Sequence, residues 1–141
     1  MALASFDINI WAVIVSAIVY FVLGMIWYSQ KVFGKQWISL MELSEAQMNE
    51  MKRKGMAKQM ITAIISGFVT ALILAYVIGM SGATVISEGL LVGFLVWLGF
   101  IATLSLGSIL WEGKNFKFYA INVSYQLVSF LIMSLILTVW I

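Results

Sequence analysis

The sequence predicts an all-α polytopic membrane protein: four transmembrane helices in a bundle, with a short cytoplasmic or interfacial helix between the first two. Three observations predict it. Hydrophobic residues make up 63% of the 141 positions and charged residues only 10%, against about half and about a quarter in soluble domains. A single domain of this length cannot hide so much apolar surface in its own core. Four segments also approach the ~20 apolar residues that a bilayer crossing requires. Finally, every basic residue falls in alternate connections between those segments.

The first span runs from about Ile8 to Tyr28, with Asp7 or Asn9 as its N-cap. Met1 to Asn9 carries no positive charge, as the n-region of a signal peptide would, so this span is expected to be retained. The second span covers about Gln59 to Gly79. The third covers about Ser87 to Leu110, with Ser87 as cap and Glu88 favourable in the first turn. The fourth runs from about Tyr119 to Ile141. The chain has no proline, so no proline kink is expected in any of them.

The first connection alone has room for structure. Ser44 and Gln47 fit a capping box, Glu45 to Lys54 reads as a short helix, and Gly55 ends it. Glu50 and Lys54 pair at i and i+4. The preceding apolar run of Trp37, Ile38, Leu40, Met41 and Leu43 suits a membrane interface.

Orientation follows from the basic residues. Lys31, Lys35, Lys52, Arg53, Lys54 and Lys58 belong to the first connection, and Lys114 and Lys117 to the third. These connections are expected in the cytoplasm and both termini outside. The net charge of +2 is thereby explained as an orientation signal, and no nucleic-acid partner is expected. The cluster Lys52, Arg53, Lys54 and Lys58 is a candidate contact for anionic lipid head groups. A weak parallel repeat links Ile26-Trp27 with its Lys31, Phe33 and Lys35 to Leu110-Trp111 with its Lys114, Phe116 and Lys117. Interfacial preference of Trp and Lys at any helix end is the favoured explanation. Inverted repeats, which mark many transporters, are not seen.

Two intramembrane patterns stand out. Ala63, Gly67, Ala71, Ala75 and Gly79 recur every fourth residue, a small-residue face for helix packing inside the bundle, for self-association or, last, for lining a pore. Shorter versions occur at Gly89 and Gly93, and at Gly99, Thr103 and Gly107. In the fourth span Asn122, Tyr125, Gln126 and Ser129 share one face. They read first as interhelical hydrogen-bonding groups and second as a polar vestibule for a solute. The sequon Asn122-Val123-Ser124 lies in a span and is discounted.

Chemistry is sparse. Without cysteine or histidine there is no disulfide, thiol nucleophile, His-ligated haem or Cys/His zinc site. No acidic residue sits mid-span, as a proton-coupled transporter would need. Paired carboxylates, a nucleophile–base pair and a phosphate-binding loop are missing too. No enzyme activity, metal or cofactor is expected.

Several stretches resemble the family called domain of unknown function 1761. They are Asn9-Ile10-Trp11-Ala12-Val13, Phe21-Val22-Leu23-Gly24, Trp27-Tyr28-Ser29 and Phe33-Gly34-Lys35-Gln36-Trp37. Gly55-Met56-Ala57-Lys58, Glu88-Gly89, Trp97-Leu98-Gly99-Phe100, Trp111-Glu112-Gly113-Lys114, and Asn122 with Tyr125 extend the likeness over nearly the whole chain. Gln30 departs from it, standing where the resemblance leads one to expect proline. The resemblance implies a bacterial membrane protein and supplies no catalytic residue. The leading functional expectation is a non-enzymatic structural or accessory protein of the bacterial cytoplasmic (inner) membrane, self-associating or in a larger membrane complex. The alternative is a small uncoupled channel or carrier with its polar site near the cytoplasmic end of the fourth helix.

Overall fold

The computed structural model describes residues 8–29, 31–40, 45–55, 57–113 and 115–140. Among them the regular structure is helical throughout, and four helices are long and apolar enough to cross a membrane.

The first span is α1 (Ile10–Trp27). Of the two possible caps, Asn9 serves: its Oδ1 accepts from Trp11 N at 3.0 Å and Ala12 N at 3.4 Å. Asp7 lies outside the described residues. The exit from α1 is tight despite Gln30, itself outside the described residues. Phe33 N donates to Trp27 O and Gly34 N to Ser29 O, at 3.1 and 2.8 Å. Gly34 is required there, because a Cβ would fall 2.7 Å from the Ser29 carbonyl oxygen. It opens α2 (Gly34–Leu40), which the sequence showed only as an apolar run. Met41 and Leu43 of that run lie outside the described residues, as does Ser44 of the proposed capping box.

The short helix α3 (Glu45–Lys54) has the bounds its sequence predicts. Gly55 ends it in the left-handed region at φ 79°. The second span, α4 (Ala57–Ser81), extends two residues beyond expectation at each end. At ~1.5 Å per residue its length is ~37 Å, against a hydrocarbon core of ~30 Å.

The third span differs most from expectation. It is continuous over Ile86–Ser105 but not uniformly α-helical, and it does not start at Ser87. It begins as α5 (Ile86–Trp97), widens into a π segment over Leu98–Ala102, and ends in the short α6 (Thr103–Ser105) and α7 (Gly107–Leu110). Ser87 is not the cap. Val85 holds the cap position without a side-chain bond, and Glu88 instead folds back to accept from Thr84 N at 3.0 Å. The π segment has local causes. Gly99, a weak helix former, is its second residue, and Thr103 Oγ1 donates back to Gly99 O at 2.7 Å. Leu106 N bonds to Thr103 O rather than one residue earlier. The Ala102 carbonyl is instead capped by the Tyr119 hydroxyl, at 2.7 Å.

The fourth span is α8 (Phe116–Val139), starting three residues earlier than predicted because Asn115 caps it through Lys117 N at 2.8 Å. It is the most deeply buried span. It packs on α5 and α1, and α4 closes the bundle against α1. The shared core joins Ala12 and Val13 of α1, Ala71, Leu74 and Ile78 of α4, and Phe130, Met133 and Leu137 of α8. Close approach of α5 to α8 depends on absent side chains. A Cβ at Gly89 would collide with Thr138, and one at Gly93 with Ser134.

Candidate functional site

The polar face of α8 lies in the half of the bundle nearer the basic connections, and it meets α1. Tyr20 Oη donates to Gln126 Oε1 at 2.8 Å. Tyr28 Oη donates to Asn122 Oδ1 at 2.5 Å. In the other direction, Tyr125 Oη donates to the Tyr20 carbonyl at 2.7 Å. Trp27 Nε1 adds a fourth bond across the same seam, to Ile121 O at 3.0 Å. In a bilayer none of these groups has bulk water as an alternative partner, so each bond fixes the mutual rotation of the two helices.

Aromatic packing completes the seam. The Tyr125 ring lies 5.3 Å from Tyr20 and 5.5 Å, edge-on, from Tyr28. Trp27 lies 6.4 Å from Tyr125 and 5.1 Å from Phe33. Gly24 makes the room: a Cβ there would stand 2.9 Å from Tyr125 Oη. Ser129, one turn beyond Tyr125, is fully buried. The structure thus gathers Asn122, Tyr125, Gln126 and Ser129 on one buried or half-buried flank of α8, three of them bonded to α1 or to its C-cap residue Tyr28.

Sequence reasoning missed the donors. Tyr20, Gly24 and Trp27 of α1 and its C-cap Tyr28 stand at i, i+4, i+7 and i+8, a largely aromatic stripe matching the polar face of α8. That spacing was available as a signal. Trp97 Nε1, bonded to Val123 O at 2.9 Å, ties α5 to α8 in the same way.

The other predicted residues are dispersed. Gly67, Ala71 and Ala75 are buried where α4 meets the rest of the bundle, Gly79 is half-buried, and Ala63 is exposed. The Tyr20 ring occupies the space left at Gly67, its Cδ1 3.2 Å from where a Cβ would be. Toward the opposite end, Ala75 and Gly79 line a cavity of about 210 Å³ with Asn9, Gly82 and Trp140. Arg53 and Lys58 are exposed. Lys52 and Lys54 belong to α3, but their side chains lie outside the described residues. The basic cluster is remote in sequence from the α1–α8 seam and shares no bond with it among the described residues.

The family model described as "Protein of unknown function (DUF1761)" matches residues 11–138, which include the whole α1–α8 seam. The chain belongs to this family. No curated protein and no solved structure matches it. For a DUF1761 protein the site must therefore be argued from its own chemistry. The seam holds tyrosine hydroxyls, carboxamides, indoles and backbone carbonyls. Such a set can fasten helices or bind a neutral polar group.

Proposed function

We propose that this DUF1761 protein is a non-enzymatic structural or accessory protein of the bacterial cytoplasmic membrane, with both termini outside and its basic connections in the cytoplasm. One observation carries the reading: the carboxamide oxygens of Asn122 and Gln126 are each taken by a tyrosine hydroxyl of the first-span region. Polar groups committed to interhelical bonds rigidify a bundle. A rigid four-span bundle is suited to holding other membrane components and lacks the acid–base pairs that catalysis would use. The basic cluster around Arg53 and Lys58 contributes orientation and contact with anionic lipid. Self-association, or entry into a larger membrane complex, uses the exposed apolar flanks of α4 and α5.

The second reading is a small uncoupled channel or carrier. Asn122 and Gln126 favour it in one respect, since both also line a cleft of about 380 Å³ beside the seam. Reconstitution discriminates between the two. The accessory reading expects liposomes carrying the protein to be no leakier than empty ones to small neutral solutes, and mild solubilisation to recover a complex larger than one chain. Saturable solute flux, abolished by Gln126→Leu, would replace it with the carrier.

A further inference from the structure

A cleft opens on the side of the bundle where α4 and the third span part. Its floor is α8, through Asn122, Val123, Gln126 and Phe130. Its walls are Thr70 of α4 and Phe100 with Ile101 of the π segment. A second hollow of about 460 Å³ adjoins it, sharing Ser105, Asn122 and Val123, and is lined on its far side by Glu112. Phe100 and Leu104, 69% and 70% exposed, form the rim.

The floor presents unused hydrogen-bond donors. Both carboxamide oxygens already accept from tyrosines, which leaves the NH2 group of each amide for the cleft. Among the described residues neither amide nitrogen has an acceptor. Asn122 and Gln126 stand six and ten residues into α8, ~9 Å and ~15 Å from its first residue along a helix ~36 Å long. Both amides therefore lie within the hydrocarbon zone, Gln126 near its middle. No charged residue lines the deeper part of the cleft. An occupant must bring hydrogen-bond acceptors on an uncharged, apolar body to this depth. The two amides are one helical turn apart, ~6 Å along the axis, which matches a molecule with two carbonyl oxygens.

We infer that the cleft binds an uncharged membrane amphiphile bearing paired carbonyl oxygens, its oxygens on the amide nitrogens of Asn122 and Gln126 and its apolar body against Phe100, Ile101 and Phe130. Two membrane molecules have that chemistry: a tailed quinone, and the glycerol esters of a diacyl lipid. The site differs from the basic cluster, which addresses head groups, and stands whether or not the bundle is an accessory protein.

The test titrates detergent-purified protein with decyl-benzoquinone, read by quenching of tryptophan fluorescence, and with dioctanoylglycerol, read by native mass spectrometry. Thr70→Phe fills the cleft from α4; because Tyr20 and Gln126 line the same cleft, its melting curve is read beside its binding. Phe100→Ala, on the exposed rim, removes a wall and should leave the fold intact. Saturable binding of one molecule per chain, weakened about tenfold in a variant whose melting curve is unchanged, supports the inference. Binding of the quinone alone or of the diacylglycerol alone identifies the source, and binding of both shows that the carbonyl pair suffices. The inference falls if neither probe saturates the wild-type protein, or if both variants bind as wild type does.

Discussion

A methyl group added at Gly93 would lie 2.9 Å from the Ser134 Cβ and 3.1 Å from the Phe130 carbonyl oxygen, and closer still to the Ser134 hydroxyl. Carbon–carbon contacts relax to ~3.6 Å, so α5 and α8 must separate by ~0.7 Å at this point. Neither obstacle is a flexible side-chain end: one is the Cβ of a fully buried serine and the other is backbone. Overpacking of this kind costs ~1–3 kcal/mol, and Gly93→Ala is expected near the middle, about 2 kcal/mol. Ser134→Gly removes the larger part of the clash. It sacrifices no side-chain hydrogen bond, because the Ser134 hydroxyl has no partner among the described residues. Glycine inside α8 has its own cost of ~0.5–1 kcal/mol, so the expected signature is non-additivity: the double variant should lose about 1 kcal/mol less than the sum of the two single losses. Reversible unfolding in mixed micelles of mild detergent and dodecyl sulfate, followed by far-UV circular dichroism, gives all four stabilities. Wild-type stability of Gly93→Ala, or simple additivity in the double variant, would refute close α5–α8 packing at this glycine.

Other perturbations probe the remaining parts. For orientation, single cysteines at Lys52 and Lys114 should resist an impermeant thiol reagent in outer-membrane-permeabilised cells, while cysteines at Ala2 and Thr84 should react; labelling at Lys52 overturns the topology. Thr84 is a better reporter than Gly82, whose φ of 76° a cysteine would strain. Gly67→Leu should push the Tyr20 ring away from Gln126 and lower the melting temperature in detergent, with an overpacking cost of ~1–3 kcal/mol; an unchanged melt would remove Gly67 from the packed face. Converting Lys52, Arg53, Lys54 and Lys58 to Gln should reduce the anionic lipid retained in native mass spectra, and equal retention would leave those residues with orientation alone.

The spans were legible because hydrocarbon thickness imposes a length that composition reveals directly, and the α3 bounds because Gly55 marks its end. The π segment in the third span was not. No proline announces it, and its causes are a threonine bonding back to a glycine carbonyl and a tyrosine from another helix capping Ala102. Periodicity within one segment cannot show such tertiary partners. The same limit applied to the seam. Asn122, Tyr125 and Gln126 were visible as a polar face, but their acceptors and donors on α1 depend on which helices neighbour one another. The small-residue face was equally ambiguous, since Gly67 and Ala71 could have faced a second chain as readily as Tyr20 and the core. The α2 helix escaped notice because seven residues offer too few turns for a periodic signal.

The central claim is that the carboxamides of α8 fasten it to α1. A double-mutant cycle on Tyr20→Phe and Gln126→Leu measures this most directly. Both substitutions keep the bulk of the side chain and delete only the hydrogen-bonding ends. Interhelical hydrogen bonds in membranes are worth about 1 kcal/mol, and a coupling energy of that size, with each single variant folded and modestly less stable, is the predicted result. A coupling energy indistinguishable from zero, with Gln126→Glu as stable as wild type, would contradict the account, because it would mean that Gln126 faces water rather than Tyr20.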